Sequence, residues 1–430
     1  MKNLTKYTCL ILGLVLMASC KSIDYPDRFV QTSGIPKVDF VRYADKDVII
    51  TQANMEEVVC IVGDNLTSVH DLYFNDQKAV LNSSYMTAKT LLVSVPKNMP
   101  AEQTDKMYLI TKDSTVVAYD FKVLPPAPKI TSMSLEWAQP GETVTIYGSY
   151  LFPPMTVEFP GVDPVNATTS DGSFVTVTVP EGAQPGKVKV SNDSGTAQSV
   201  FMYKDSRGMI LDWDGIYGRE SGNGWRAVNE WSNGNIKHAP GDDAFPAICG
   251  NYIVFTKEFD GTPTGAWAED ECSFDYWAGE VGSDVPPVYA FDGVANLLAT
   301  HPLSNLALKF EVLIPSSNPW TCVGMQLMFS SEKYVSASNT NNDYFSDETF
   351  PRYVWEPWVA TGSYDTADKW VTVSFPLSSF NKKADGSPCS TTFNESFLHG
   401  LSFFVWNGSQ EGTAGTPVIA IDNIRIAPIN

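Results

Sequence analysis

Val144-Thr145-Ile146-Tyr147-Gly148-Ser149-Tyr150-Leu151 repeats, 85 residues later, the run Val59-Cys60-Ile61-Val62-Gly63-Asp64-Asn65-Leu66. Each is a short apolar run, rich in β-branched residues and closed by a glycine before a turn, which is the sequence form of a buried strand. The match extends outward. Pro36-Lys37-Val38 returns as Pro128-Lys129-Ile130, offset by 92, and Leu92-Val93-Ser94-Val95-Pro96 returns as Val175-Thr176-Val177-Thr178-Val179-Pro180, offset by 84 counted at the proline. These offsets are domain-sized, so residues 36–124 and 125–204 are expected to be two small β-sandwiches in tandem. Between them Pro125-Pro126-Ala127-Pro128 restricts the backbone and reads as a stiff joint.

Past residue 204 the composition changes, and ten of the eleven tryptophans lie between Trp213 and Trp406. Short alternating runs at 209–213, 252–259, 307–314, 323–329, 370–377, 401–406 and 418–426 are separated by polar or Gly/Pro segments. They predict, for residues 205–430, a larger jelly-roll-like sandwich of two sheets with about eight to ten strands and no helix of useful length. The whole chain is thus expected to be all-β.

At the other end, Lys2 and Lys6 precede an apolar stretch from Cys9 to Met17 that is too short to span a bilayer. Met17-Ala18-Ser19-Cys20 resembles the bacterial lipobox, which makes residues 1–19 a lipoprotein signal peptide and Cys20 the lipidated residue; the plainer alternative is an ordinary export signal beside a chance cysteine. Residues 20–35 form a polar tether without periodicity. Acyl chains on Cys20 would anchor the protein to a membrane, the more stably when there are several.

A net charge of −20, from 29 basic and 49 acidic residues, argues against nucleic acid as a partner, because a phosphate backbone calls for a basic stripe. Enzyme motifs are also missing. Acidic residues cluster at Asp212/Asp214 and Glu269-Asp270-Glu271, but without the Glu-x-Asp-x-x-Glu spacing of common jelly-roll hydrolases and without a Gly-x-Ser-x-Gly elbow. The four histidines are isolated and no Cys-x-x-Cys occurs, so zinc is not indicated. No cofactor is required on this reading. A structural calcium is the one metal the sequence admits, held by the hard oxygens of Asp212 and Asp422, with solvated turn carboxylates as the plainer reading. Cys60, in an apolar strand, is expected to be a buried thiol, whereas Cys249, Cys272, Cys322 and Cys389 allow three disulfide pairings and require none.

Aromatic binding remains. Trp320 follows Pro315-Ser316-Ser317-Asn318-Pro319, where an indole can project. In Arg352-Tyr353-Val354-Trp355-Glu356-Pro357-Trp358 the two indoles are three apart with a proline between, so at least one is expected to be exposed. Trp213 and Trp370 read as core. Trp406-Asn407-Gly408 closes a strand and leaves the Asn407 amide free to pair with hydroxyls. A flat ring covers the apolar face of a sugar, and hiding about 100 Å² of it contributes roughly 2–3 kcal/mol before association costs. A few such platforms give micromolar to millimolar binding, suited to capture and release of a polymer.

The ordered set of a lipobox, tandem repeats with a Gly-closed strand and a Val-x-Val-Pro strand, Arg352-Tyr353-Val354-Trp355-Glu356-Pro357-Trp358, Lys369-Trp370-Val371-Thr372-Val373-Ser374-Phe375-Pro376-Leu377 and Ile419-Ala420-Ile421-Asp422-Asn423-Ile424-Arg425-Ile426 resembles the surface glycan-binding proteins of the Bacteroidota, of the second type found in xyloglucan and β-glucan utilisation systems. The resemblance implies immunoglobulin-like IPT/TIG repeats and an outward-facing lipoprotein. It implies that the protein collects polysaccharide without cleaving it, beside a TonB-dependent transporter and its SusD-like lid. Carried over by position, it favours Trp320 and Trp355 as platforms with Asn407 as a polar contact; Trp358 and Tyr353 follow from the local reading, and Trp277 is the neighbouring substitute. The alternatives are a lipid-anchored glycoside hydrolase using Glu356 and a structural or adhesive lipoprotein that holds protein partners.

Overall fold

The computed structural model describes residues 31–169, 172–192, 194–214, 236–238, 245–262, 273–277, 291–330, 350–406 and 410–429. Cys20 and Asn407 lie outside these residues. The fold is all-β, in two compact units that meet in sequence between Pro126 and Ala127.

The first unit stacks two antiparallel sheets. One runs, in spatial order, Ile49–Ile50, Lys37–Tyr43, Val58–Asp64 and Thr90–Ser94; the other runs Gln77–Lys78, Val69–Phe74, Lys106–Thr111 and Val116–Asp120. Alternate residues point inward, so Val41, Ile61, Leu72, Leu91 and Leu109 are fully buried. Cys60 is a buried free thiol, as expected.

The sequence repeat corresponds to a repeated bulge. Pairing slips by one residue between Val38 and Phe40, and again between Ile130 and Ser132. Just before each slip a lysine carbonyl occupies the space where a side chain on the facing strand would stand. A Cβ on Gly63 would lie 1.9 Å from the Lys37 oxygen, and one on Gly148 would lie 1.9 Å from the Lys129 oxygen. Only glycine fits there. Two residues on, Asn65 and Tyr150 share a left-handed backbone, φ 57° and 59°.

The second unit begins with the 127–204 sandwich, whose seven strands run Lys129–Met133, Thr143–Ser149, Phe174–Thr178, Val165–Thr169, Met155–Glu158, Lys189–Asn192 and Gly195–Gln198 in spatial order. Its core of Val144, Ile146, Val157, Val175 and Val190 does not close on itself. It continues through Met209 into Tyr252, Val254, Leu313, Trp370 and Ala420 of the domain that follows.

That C-terminal domain has ten described strands: β1 (Met209–Leu211), β2 (Ile236–His238), β3 (Asn251–Thr256), β4 (Ser273–Trp277), β5 (Leu306–Leu313), β6 (Met325–Ser330), β7 (Arg352–Trp355), β8 (Val371–Pro376), β9 (Gly400–Val405) and β10 (Val418–Pro428). One sheet has the order β2-β3-β10-β5-β8, with β1 also on β10; the facing sheet has the order β4-β9-β6-β7. The core between them is aromatic. Phe310 stacks on Phe375 with centroids 5.5 Å apart and meets Phe403 at 5.1 Å. Trp213 and Trp370 are buried, as their alternation predicts. The expected absence of a helix is corrected by α1 (Asp292–Leu298), one short helix that buries Val294 and Leu297, three residues apart on one face.

Candidate functional site

Four-residue β7 divides its side chains between two environments. Tyr353 and Trp355 face inward, with ring centroids 4.9 Å and 5.3 Å from Phe375. Val354 faces the other way, paired in register with Gln326 of β6, and with Glu356 it lines a surface cleft. Pro357 cannot extend the ladder, and the chain turns back on itself through the Trp358 carbonyl, which accepts from Thr361 at 3.0 Å and from Gly362 at 2.6 Å. The turn sets Trp358 against Trp320, centroids 4.8 Å apart, and leaves it half-buried at the cleft wall.

Trp320 is the hub of this group rather than its surface. Its backbone exchanges two hydrogen bonds with Tyr364, at 2.8 and 3.0 Å, and its indole N–H donates to the Cys322 and Val323 carbonyls. Trp355 meets it edge-on at 5.1 Å. On the outer face of β6 the Gln326 amide donates to the carbonyls of Ala384, at 3.0 Å, and Trp406, at 3.2 Å. That bridge joins the 384–386 turn and the end of β9 to one sheet, and the cleft lies between these segments and 410–413.

The cleft has a volume of about 200 Å³. Pockets that engulf a drug-sized ligand run to roughly 300–1,000 Å³, so this one suits a single ring or the flank of a polymer. Its walls combine the Trp358 ring with Glu356, Asp385, Gln410 and Glu411, and among the described residues no lysine or arginine lines it. Hydrogen bonds from Ser387 hold the Asp385 carboxyl below its usual value, keeping it an anion. Burial pushes the Cys322 thiol up and keeps it protonated. An aromatic face edged by carboxylate acceptors, an amide and threonine hydroxyls is a surface for a neutral, hydroxyl-rich molecule, and it repels an anionic one.

Asp212 and Asp422 are brought near each other by the pairing of β1 with β10, and both are buried. Burial, then the nearby Glu311 and Asp214 carboxylates, push the Asp422 carboxyl well above its ordinary value and favour its protonated form. Among the described residues no three His, Cys, Asp or Glu side chains converge as metal ligands.

A family model described as "Surface glycan-binding protein B xyloglucan binding domain" matches residues 203–428, and an IPT/TIG domain model matches residues 128–204. The crystal structure of the surface glycan-binding protein PbSGBP-B from Prevotella bryantii is 33% identical, with 93% of this chain and 100% of that chain covered and a TM-score of 0.72. The chain belongs to the surface glycan-binding protein B family. Two remoter likenesses accompany these. An SGBP-B from a complex xyloglucan utilisation locus in Bacteroides uniformis is 17% identical over 92% of this chain and all of that one, with a TM-score of 0.45. An IPT/TIG domain-containing protein of Bacteroides ovatus is 27% identical over 168 residues, which is 35% of this chain and a third (33%) of that protein.

Within this glycan-binding fold the residues singled out in the sequence part company. Trp320 and Trp355 are corrected: both are core, at 0% and 7% exposure, because the backbone of Trp320 bridges to Tyr364 and β7 turns Trp355 inward over Phe310 and Phe375. Tyr353, half-buried, packs on Phe375 and Phe380 rather than lining the cleft. Among the described residues, Trp358 is the aromatic that reaches the cleft. Trp277 of β4 pairs with Gly400 of β9, whereas Trp355 lies in line with Met325 and Val405. Three strand spacings and about five residues therefore put Trp277 on the order of 20 Å from the Trp355 end of the sheet. Sequence reasoning missed Asp385, Gln410 and Glu411. Asp385-Gly386 was visible as a turn, and Gln410-Glu411 follows the Trp406-Asn407-Gly408 strand end, but neither stretch contains an aromatic to draw attention.

Proposed function

We propose that this protein captures a neutral polysaccharide, xyloglucan or another β-glucan, at the cell surface and holds it without cleaving it. The observation that carries the reading is the half-buried Trp358 at the wall of a cleft whose described lining is acidic and holds no lysine or arginine, inside the domain that matches the xyloglucan-binding model. One sugar residue covers the indole while its hydroxyls donate to Glu356, Asp385 and Glu411. A shallow site of this size gives weak, reversible contact, which suits a protein that must pass a polymer onward. A lipid on Cys20 anchors the chain to the outer membrane, facing out, and a TonB-dependent transporter with a SusD-like lid receives the glycan.

Calorimetric titration and gel retardation over xyloglucan, mixed-linkage β-glucan, mannan and α-glucan test this. Trp358→Ala is expected to weaken binding to the preferred glucan about tenfold or more while the fold persists, since one stacked ring is removed. Unchanged affinity in that variant, or release of reducing sugar by the intact protein, overturns the reading.

A further inference from the structure

Glu136 belongs to the IPT/TIG domain, in the loop after Lys129–Met133, yet it is buried, because its side chain enters the sheet of the C-terminal domain. One carboxylate oxygen accepts from Lys309 Nζ at 2.6 Å and the other from Arg425 Nη2 at 2.9 Å. Arg425 also grips Glu311 with two bonds, 2.7 Å from Nη1 and 3.0 Å from Nη2. Glu311 accepts from the Thr372 hydroxyl at 2.8 Å, and that hydroxyl accepts from the Glu136 backbone N–H at 2.7 Å, which closes a ring. The Thr372 N–H donates to the Ser134 carbonyl at 2.9 Å, and the Arg425 guanidinium stands 5.9 Å over the Trp137 ring.

This ring contains two carboxylates and two cations, all four shut away from water. Fully dehydrated charges are tolerated only when each faces its opposite, so the set works in one geometry alone. β5, β8 and β10 each contribute one or more members, and the IPT/TIG loop contributes the remaining carboxylate. We infer that Glu136 is a positioning residue that locks the second IPT/TIG domain and the C-terminal sandwich into one cooperative body, so that this domain is a structural half of the glycan-binding module and not a spacer. β8 passes the constraint toward the cleft, since its Phe375 packs under Tyr353 and Trp355, the residues just before Glu356 and Trp358. The lock exists whether or not the cleft takes glycan.

Hydrogen exchange on the full-length chain, read by mass spectrometry, tests it without any ligand. In Glu136→Ala the amides of Thr143–Ser149 and those of β5 and β8 are expected to lose protection together, on the order of a hundredfold, because two cations are left buried against one carboxylate. Strands Lys37–Tyr43 and Val58–Asp64 of the first unit are the internal control and stay unchanged. Glu136→Gln combined with Lys309→Met leaves one guanidinium facing one carboxylate and is expected to recover most of the protection. Loss confined to one side of the interface, no loss at all, or a double variant no better protected than Glu136→Gln alone overturns the inference.

Discussion

At Gly63 and at Gly148 the same bulge presses a lysine carbonyl against the same glycine, but the loops after the first strand of each repeat differ in fate. In the first repeat Asp45 and Lys46 stand in water, with 74% and 66% of their side chains exposed and 4.0 Å between them. In the second, Glu136 and Trp137 are pulled into a neighbouring domain and ringed by its charges. A repeat can therefore keep its internal geometry while one loop changes it from a self-contained body into part of another. What decides is whether the loop's polar atoms find partners outside the repeat, and those partners lie 173 and 289 residues away in sequence.

The contrast can be broken most severely at Arg425. Arg425→Leu leaves Glu136 and Glu311 buried without their guanidinium and is expected to lower the stability of the second unit by about 3–5 kcal/mol in denaturant titration, with the first unit unaffected. Next come the glycines. Gly63→Ala and Gly148→Ala each force a carbonyl aside, for about 2–4 kcal/mol. Gly148→Ala is expected to lower the melting of the glycan-binding domain as well, whereas Gly63→Ala leaves glycan affinity unchanged; equal effects on affinity contradict the difference between the repeats.

Smaller and dependent on pH is Asp422. Its carboxyl is raised in the folded state above the ordinary 3.8, mainly by burial, so the folded form binds the extra proton. Its contribution to stability is present below about pH 4 and is lost as pH rises through the folded value. Asp422→Asn is therefore expected to raise the melting temperature of the second unit more at pH 8 than at pH 5. A lowered melting temperature in this variant, reproduced in the wild type by EDTA, identifies Asp422 and Asp212 as calcium ligands instead. Least of all, Lys46→Ala is expected to leave the melting of the first unit unmoved, because an exposed pair is screened by water and salt.

Much of the architecture was legible because its signals are local. The glycine-closed strands, the prolines between repeats and the alternating runs after residue 204 each depend on neighbours a few residues away, and seven predicted strands of the C-terminal domain correspond to observed ones. The four-residue β7 escaped notice because it is shorter than a full alternation pattern, and α1 because two apolar residues on one face make a weak period. The site was harder to read. Trp320, Trp355 and Trp358 look alike in sequence, and which one surfaces depends on the Trp320–Tyr364 bridge and on the turn after Pro357. Charged Glu136, Glu311 and Arg425 read as surface residues by type, since only a partner distant in sequence makes burying them tolerable.

β10, eleven residues from Val418 to Pro428, runs through the middle of the larger sheet, hydrogen-bonded to β3 on one side and β5 on the other. During synthesis, two hundred residues of this domain must emerge and wait before the ribosome supplies the strand that joins them. Until β10 inserts, the β2-β3 and β5-β8 halves of the sheet stand apart, so removing this strand would split the sheet, where removing β8 would only trim its edge.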